Sequence, residues 1–140
     1  MILVLVFLLF FLQNNLSTLA RYVNSRFNQP THIALWSQLA AVTWVLDDSR
    51  GQEFNVDVYV PPVVPYAYDY LFLWQGTKRC GVGLCGMSLE HQVSLLYTLY
   101  EIDPPHPERL EVWLDRQKNI GIVEESKIFG GITVERRHRI

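Results

Sequence analysis

Aromatic side chains beside a carboxylate follow a proline-rich turn near the middle of the chain. A ring with a polar edge can lie against a sugar, and a carboxylate can accept hydrogen bonds from sugar hydroxyls. The stretch therefore predicts contact with a sugar or a lipid-linked sugar, whereas the competing interpretation is that aromatic residues on a helix fill a core. The candidate ligand-binding residues are Tyr66, Tyr68, Asp69 and Trp74, and Tyr70 belongs to the same aromatic stretch.

Two cysteines, Cys80 and Cys85, are the only ones in the chain. Two thiols cannot complete a four-ligand structural zinc site. A local disulfide is expected if the domain lies outside the cytoplasm, and two free thiols are expected if it lies inside.

A glycine motif overlaps the cysteines: Gly81, Gly83 and Gly86 match the G-x-G-x-x-G pattern. A dinucleotide-binding fingerprint follows a buried strand and opens a helix. Here Lys78 and Arg79 precede the motif and a β-like run follows it. The pattern therefore predicts a flexible glycine loop rather than a nucleotide site.

Other residues that could do chemistry have no pattern typical of a catalytic or metal centre. The four histidines lack the spacing of a helical metal pair. Paired carboxylates can do acid–base work, but these pairs stand at the ends of predicted elements, where they are expected to be solvated caps. We therefore predict no catalytic residue, no metal and no cofactor. The acidic pairs are Asp47 with Asp48, Glu101 with Asp103, and Glu124 with Glu125.

Length and charge limit the kinds of protein this can be. The 140 residues suffice for about one domain. The net charge of −2 lacks the positive field that binds nucleic acid, so we predict no nucleic-acid partner.

The N-terminal segment Met1 to Leu12 contains no charged or polar side chain. It is shorter than the roughly 20 residues that span a bilayer. Three interpretations compete: the core of a signal peptide, an anchor that continues to Ala20, and the end of a longer membrane helix. We favour membrane insertion, with a lipid bilayer as partner. Residues 1–28 are predicted to form this segment and an amphipathic linker helix, and residues 29–140 a small domain.

Hydrophobic periodicity predicts an α/β (α+β) fold in the domain, with a small mixed sheet of about four strands covered by helices. The two strands flanking the aromatic helix are expected to be parallel, since a helix joins them. A C-terminal hairpin is expected to turn near Ser126 and Lys127. The predicted helices cover 33–46, 66–74 and the stretch from Pro107, and the predicted strands cover 54–60, 93–100, 120–124 and 128–136.

Three stretches in order, FNVDVYVPPVVPYAYDYLFLWQG, LLYTLYEIDPPHPERLEVWLDRQ and IFGGITVERR, resemble the C-terminal extracytoplasmic tail of a family of bacterial multi-spanning glycosyltransferases. These are the dolichyl-phosphate-mannose protein mannosyltransferase-like enzymes, and the resemblance covers Thr31 to Ile140. It implies that Met1 to Leu12 corresponds to the end of the last membrane helix.

In that family the catalytic aspartate belongs to an early extracytoplasmic loop, and the sugar donor is a polyprenyl-phosphate sugar. No residue of this chain corresponds to that loop. The resemblance therefore implies a membrane-anchored C-terminal or accessory domain, a piece of a larger enzyme without its own catalytic centre, at the cell membrane with its domain on the extracytoplasmic side. The alternative is a stand-alone, membrane-tethered envelope protein with a structural or protein-binding role.

Overall fold

The computed structural model describes residues 2–24, 33–61, 64–81 and 83–140. These ranges form four helices and one four-stranded mixed sheet, which confirms the predicted α/β class. In chain order the elements are α1 (Ile2–Asn24), α2 (Leu35–Asp48), β1 (Asn55–Tyr59), α3 (Tyr66–Cys80), β2 (Leu95–Glu101), α4 (Pro107–Lys118), β3 (Gly121–Phe129) and β4 (Ile132–Arg139).

The strands lie in the order β1-β2-β4-β3. Strands β1 and β2 are parallel and are connected through α3, as predicted. Strand β4 is antiparallel to both of its neighbours, so β3 and β4 form the expected hairpin. Since β2 and β4 are central, β1 and β3 form the two edges of the sheet.

The turn of the hairpin is not where the sequence predicted it. Strand β3 continues through Ser126 and Lys127, and the chain reverses at Gly130 and Gly131. Gly130 has a φ of 63°, a left-handed conformation that favours glycine. A Cβ on Gly131 would come within 3.1 Å of the Ile33 side chain, so the backbone approaches its neighbour closely there.

Helices α2 and α3 cover one face of the sheet with an apolar core. Alternate residues of a strand point to opposite faces, so Tyr97 and Leu99 of β2 meet these helices together with residues of β4. Packing of aliphatic and aromatic side chains on this face supplies most of the hydrophobic burial. The fully buried members include Ala41, Val42, Val45, Phe54, Tyr68, Tyr97, Leu99, Ile132 and Val134.

The single helix α4 covers part of the opposite face. It begins at Pro107, as the sequence predicted, because proline suits the first turn of a helix. The Trp113 ring packs against Tyr59 and Tyr100, with centroid separations of 5.7 and 5.8 Å. Since Tyr59 belongs to β1, α4 also lies close to one edge of the sheet.

Helix α3 is longer than the predicted range 66–74. It continues to Cys80, and Gly81 terminates it with a φ of 79°. Residues 25–28, the end of the predicted linker helix, lie outside the described residues. Of the helices in the described ranges, none is long and apolar enough to cross a membrane.

Candidate functional site

The four candidate ligand residues of α3 fall into two groups. Tyr68 is completely buried, and its hydroxyl donates a hydrogen bond of 2.6 Å to Glu101. Burial and this hydrogen bond raise the pKa of Tyr68 well above its usual value. Tyr68 therefore belongs to the core, whereas Tyr66, Asp69 and Trp74 are exposed.

The exposed rings of α3 include a stacked pair. Tyr70 and Trp74 are one helical turn apart, with ring centroids 6.4 Å apart and planes inclined by only 18°. Tyr66 precedes them and is 76% exposed. The sequence placed all these rings on one helix but could not separate Tyr68, which points to the sheet, from its exposed neighbours.

Helices α2 and α3 run in the same direction. Near their starts, Gln38 and Tyr68 both donate to the same carboxylate oxygen of Glu101. Near their ends, Arg79 forms an ion pair with Asp47. The exposed side chains at the starts of the two helices therefore lie at one end of the domain. These exposed side chains, together with the exposed rings that follow on α3, are called the aromatic surface. Its members are Leu35, Trp36, Tyr66, Tyr70 and Trp74.

Helix α1 leads into that end of the domain along the chain. From Val4 to Leu12 its side chains are between 46% and 66% exposed, although all are apolar. Every described side chain of α1 is exposed, on all sides of the helix. A helix that is apolar on all sides is normally buried in a large core or in a bilayer.

The glycine loop after α3 is bound to the rest of the fold. Cys80 and Cys85 form a disulfide in the structure, with their Cα atoms 5.5 Å apart. The backbone N–H of Phe54 donates to the carbonyl of Gly86 at 3.0 Å. A Cβ on Gly76 would lie 2.8 Å from the carbonyl oxygen of Gly83, so the loop folds closely over α3. Gly76 and Gly86 thus allow close backbone contact between the loop and the rest of the fold.

A groove with a volume of about 630 Å³ lies between strand β1 and helix α4. No sequence pattern indicated it, because its walls come from segments about 50 residues apart. Burial, together with a hydrogen bond to Asp103, raises the pKa of the Tyr59 hydroxyl in its wall to about 12. We call this hollow the β1–α4 groove; it is lined by Asp57 to Val60, Glu108, Arg109, Val112, Trp113, Arg116, Gln117 and Ile120.

Polar groups lie beneath the β1–α4 groove. The amide nitrogen of Gln117 donates to the carboxylate of Asp57, and Gln117 is only 2% exposed. Its carbonyl oxygen is buried and has no hydrogen-bond partner among the described residues. The Arg137 guanidinium, 4% exposed, donates to the backbone carbonyls of Gln117 and Gly121 and to the carboxylate of Glu135. These bonds attach α4 firmly to the sheet.

A second hollow of about 390 Å³ shares Asp57 with the groove and continues along β1. Its outer wall is the loop 88–92, in which a serine and a histidine lie in series with a carboxylate from the segment before β1. Ser88 Oγ lies 3.3 Å from His91 Nδ1, and His91 Nε2 lies 3.0 Å from Glu53. His91 and Glu53 are both well exposed, so this site lacks the dry surroundings in which such groups act as a nucleophilic centre.

Glu101, Asp103 and Asp48 are structural acceptors, which corrects the expectation that all three acidic pairs are solvated caps; the other members of the pairs are exposed, as expected. Glu101 and Asp103 are buried because tyrosine hydroxyls donate to them. Asp48 accepts from Tyr97 at 2.6 Å. Within the described ranges, no group of three or more acidic, histidine or cysteine side chains is placed to hold a metal ion.

Comparisons with known proteins identify no relative of this chain. No protein-family model, no curated protein and no solved structure matches the chain.

Proposed function

We propose that this protein is a membrane-attached accessory domain of a glycosyltransferase that uses a polyprenyl-phosphate sugar. In this proposal α1 attaches the chain to the bilayer. The end of the aromatic surface that carries Trp36 and Tyr66 faces the headgroups, and Tyr66, Asp69 and Trp74 contact the lipid-linked sugar. The observation that carries the proposal is the exposure of apolar side chains on all sides of α1.

Hydrophobic energetics support attachment through α1. Burying an apolar side chain contributes about 1.5–3 kcal/mol, and nine consecutive residues from Val4 to Leu12 are exposed. Water is therefore a poor environment for this helix, and a bilayer or the membrane helices of a larger enzyme would cover it. The chain joins α1 to the start of α2, the end of the domain that carries Trp36 and Tyr66. Tryptophan and tyrosine favour the headgroup level of a membrane.

The disulfide between Cys80 and Cys85 supports an extracytoplasmic location for the domain, because disulfides persist in oxidising compartments. The order of the three stretches that resemble the glycosyltransferase tail supports the association with that enzyme class. The role we assign is positioning of the sugar or its acceptor. Catalysis is assigned to the membrane part, since Glu101 and Asp103 serve the fold as hydrogen-bond acceptors.

Carbonate extraction tests the attachment. Membranes of cells that express the full chain are washed at alkaline pH, and the protein should stay in the pellet. Replacing Leu8 and Phe11 by aspartate should release it, because each charge costs about 2.5–3.5 kcal/mol in a membrane. The matched control replaces Asn14 and Asn15 by aspartate, which adds the same charge next to the apolar segment and should leave the protein in the pellet. Release of the parent chain would overturn the attachment.

Sugar contact is tested with a short-chain polyprenyl-phosphate sugar in lipid nanodiscs that carry the full chain. Loss of one stacking ring in Trp74→Ala should weaken binding by about threefold to tenfold. Val112→Ala serves as the control, because Val112 is also an exposed apolar side chain but lies on α4. Equal affinities of the parent chain and Trp74→Ala for the lipid-linked sugar would contradict sugar binding at this surface.

A second candidate function is that of a stand-alone envelope protein that binds other proteins. The β1–α4 groove favours it, since an open groove beside an edge strand is suited to a polypeptide. Retention in the carbonate pellet together with no affinity for the lipid-linked sugar would favour this candidate.

A further inference from the structure

Strand β1 is an edge of the sheet and is paired on one side only. Its start is extended outward by a single bridge, in which Phe54 accepts from Ser88 at 2.8 Å and pairs with Met87. In the part of the chain that the structure describes, Asn55 to Val60 make no backbone hydrogen bond beyond the ladder to β2. Phe54 directs both of its backbone groups to this bridge, so the alternate residues Val56, Val58 and Val60 present the remaining outward-facing donors and acceptors, in a row about 13 Å long.

The opposite edge, β3, has features that prevent strand addition. A register shift between Val123 and Glu125 creates a bulge, which twists the edge. Charged side chains, including Glu124 and Lys127, are exposed along it. Such bulges and charges are the usual protection against pairing with another chain, and β1 has neither a bulge nor a lysine.

The β1–α4 groove follows the backbone of β1, because four consecutive residues, Asp57 to Val60, line it. The second hollow differs, since Leu96 of β2 and Arg139 of β4 also line it and place it over the face of the sheet. Because side chains alternate between faces, a hollow lined by consecutive residues runs along the edge and not over one face. The space is thus shaped for an extended polypeptide.

Charge on the α4 wall indicates which side chains such a polypeptide carries. Arg109 and Arg116 line the groove, and no ion pair to either is present within the described ranges. They lie about 10 Å apart along the helix axis, with the exposed Val112 between them. Glu108 already has a partner in His106, and Asp57 is bound by Gln117.

We propose that β1 binds an extended segment of a partner protein, which adds to the sheet as a fifth strand and carries an acidic, an apolar and a second acidic side chain at alternating positions. The acidic groups contact Arg109 and Arg116, and the apolar one packs on Val112. Three alternating positions of a strand span about 13 Å, which long arginine side chains can match. This inference does not depend on membrane attachment or on sugar binding.

The test uses the full chain in mild detergent and a fluorescent heptapeptide in which glutamate, leucine and glutamate alternate with four threonines. Binding should saturate at one peptide per chain. A peptide with lysines in place of the glutamates should bind about tenfold more weakly or worse. Arg116→Ala should weaken binding of the glutamate peptide by at least about fivefold. Lys118→Ala, which removes a charge in the same helical turn but outside the groove, should change it by less than about twofold.

Two methylated peptides test for strand addition. Only alternate backbone N–H groups of an added strand face β1, so methylation of the threonine nitrogens and methylation of the glutamate and leucine nitrogens should have unequal effects. One methylated peptide should lose at least about tenfold in affinity and the other should bind like the parent. Equal behaviour of the two would overturn the proposal. A dimer of the chain that Val112→Glu abolishes would also overturn it, since the occupant would then be a second copy.

Discussion

The two faces of the sheet are built differently. The face under α2 and α3 is a closed apolar core, in which the buried hydroxyls of Tyr68 and Tyr97 reach carboxylates at its margin. The face under α4 is covered by one short helix, attached through the buried Arg137 network, and leaves an open groove. The difference indicates that stability comes mainly from the first face, whereas the second face can bind a partner.

Removing an aromatic ring from the closed face should have the largest effect on stability. Phe54 is fully buried and meets Tyr97 edge to face at 5.5 Å. Phe54→Ala should lower the free energy of unfolding by about 4 kcal/mol, because it removes buried surface and leaves a cavity. Urea unfolding measures the loss. A smaller loss of stability in Phe54→Ala than in Glu135→Ala, on the opposite face, would contradict the assignment of most stability to this face.

Breaking the buried ion pair on the open face should cost less. Glu135→Ala leaves the Arg137 guanidinium without its charged partner, which lies 2.6 Å away, and should cost about 3 kcal/mol. The double variant Glu135→Leu with Arg137→Met should recover most of the lost free energy of unfolding, since no unpaired charge remains. Thermal and urea unfolding of the parent, single and double variants provide the comparison. A double variant as unstable as the single one would mean that packing, and not charge, is lost.

The disulfide belongs to the closed face and should contribute moderately. Replacing both Cys80 and Cys85 by serine should lower the free energy of unfolding by about 2 kcal/mol, the loop-closure entropy expected for so short a loop. The control is the parent chain unfolded in the presence of a reductant, which should show the same loss. A parent that is insensitive to reductant would contradict the prediction.

Alkaline pH should weaken the junction of β1 with α4. Burial is the main cause that raises the pKa of Tyr59 and that of Tyr100 to about 12, against about 10 in an unfolded chain. Their contribution to stability is therefore fully present below pH 10 and is lost as pH rises through about 12. Urea unfolding from pH 9 upward should show this decline, and Tyr59→Phe should make it shallower. An unchanged slope in that variant would contradict the prediction.

The smallest effect on stability should come from the wall of the groove. Arg116 is exposed and pairs with no carboxylate within the described ranges. Arg116→Ala should change the free energy of unfolding by less than about 0.5 kcal/mol. The affinity for the glutamate peptide should nevertheless fall in the same variant. A loss of binding without a loss of stability would distinguish the binding face from the stabilising face. A stability loss as large as that of the disulfide variant would show that the groove wall also holds the fold together.

Much of the element order was predictable, because each element carries its own periodicity. The alternation in Phe54 to Val60 predicted β1, and Pro107 marked the start of α4. Strand β2 has apolar residues on both faces, which is typical of a central strand, and it lies between β1 and β4. The hairpin turn was misplaced because β3 is an exposed edge strand whose Ser126 and Lys127 resemble a loop in composition.

The site was less predictable. Whether an aromatic residue of α3 is buried depends on which face of the helix packs against the sheet. Because Tyr68 and Tyr70 are the same type of residue, the sequence does not show which of them is buried. The pairing of Glu101 and Asp103 with tyrosine hydroxyls depends on contacts between distant segments. The β1–α4 groove exists only because α4 returns to the edge of the sheet at Tyr59 and Trp113.

Membrane attachment at the aromatic end of the domain is tested most directly by the depth of two tryptophans on α2. Trp36 is exposed at its start, whereas Trp44 lies about 12 Å further along and packs on Tyr97. Full chains that keep only one of these two tryptophans, with phenylalanine at the other tryptophan positions, are mixed with vesicles that carry a nitroxide at the headgroup. The fluorescence of Trp36 should be quenched strongly and that of Trp44 little. Equal quenching of the two, or none of Trp36, would contradict the proposed attachment.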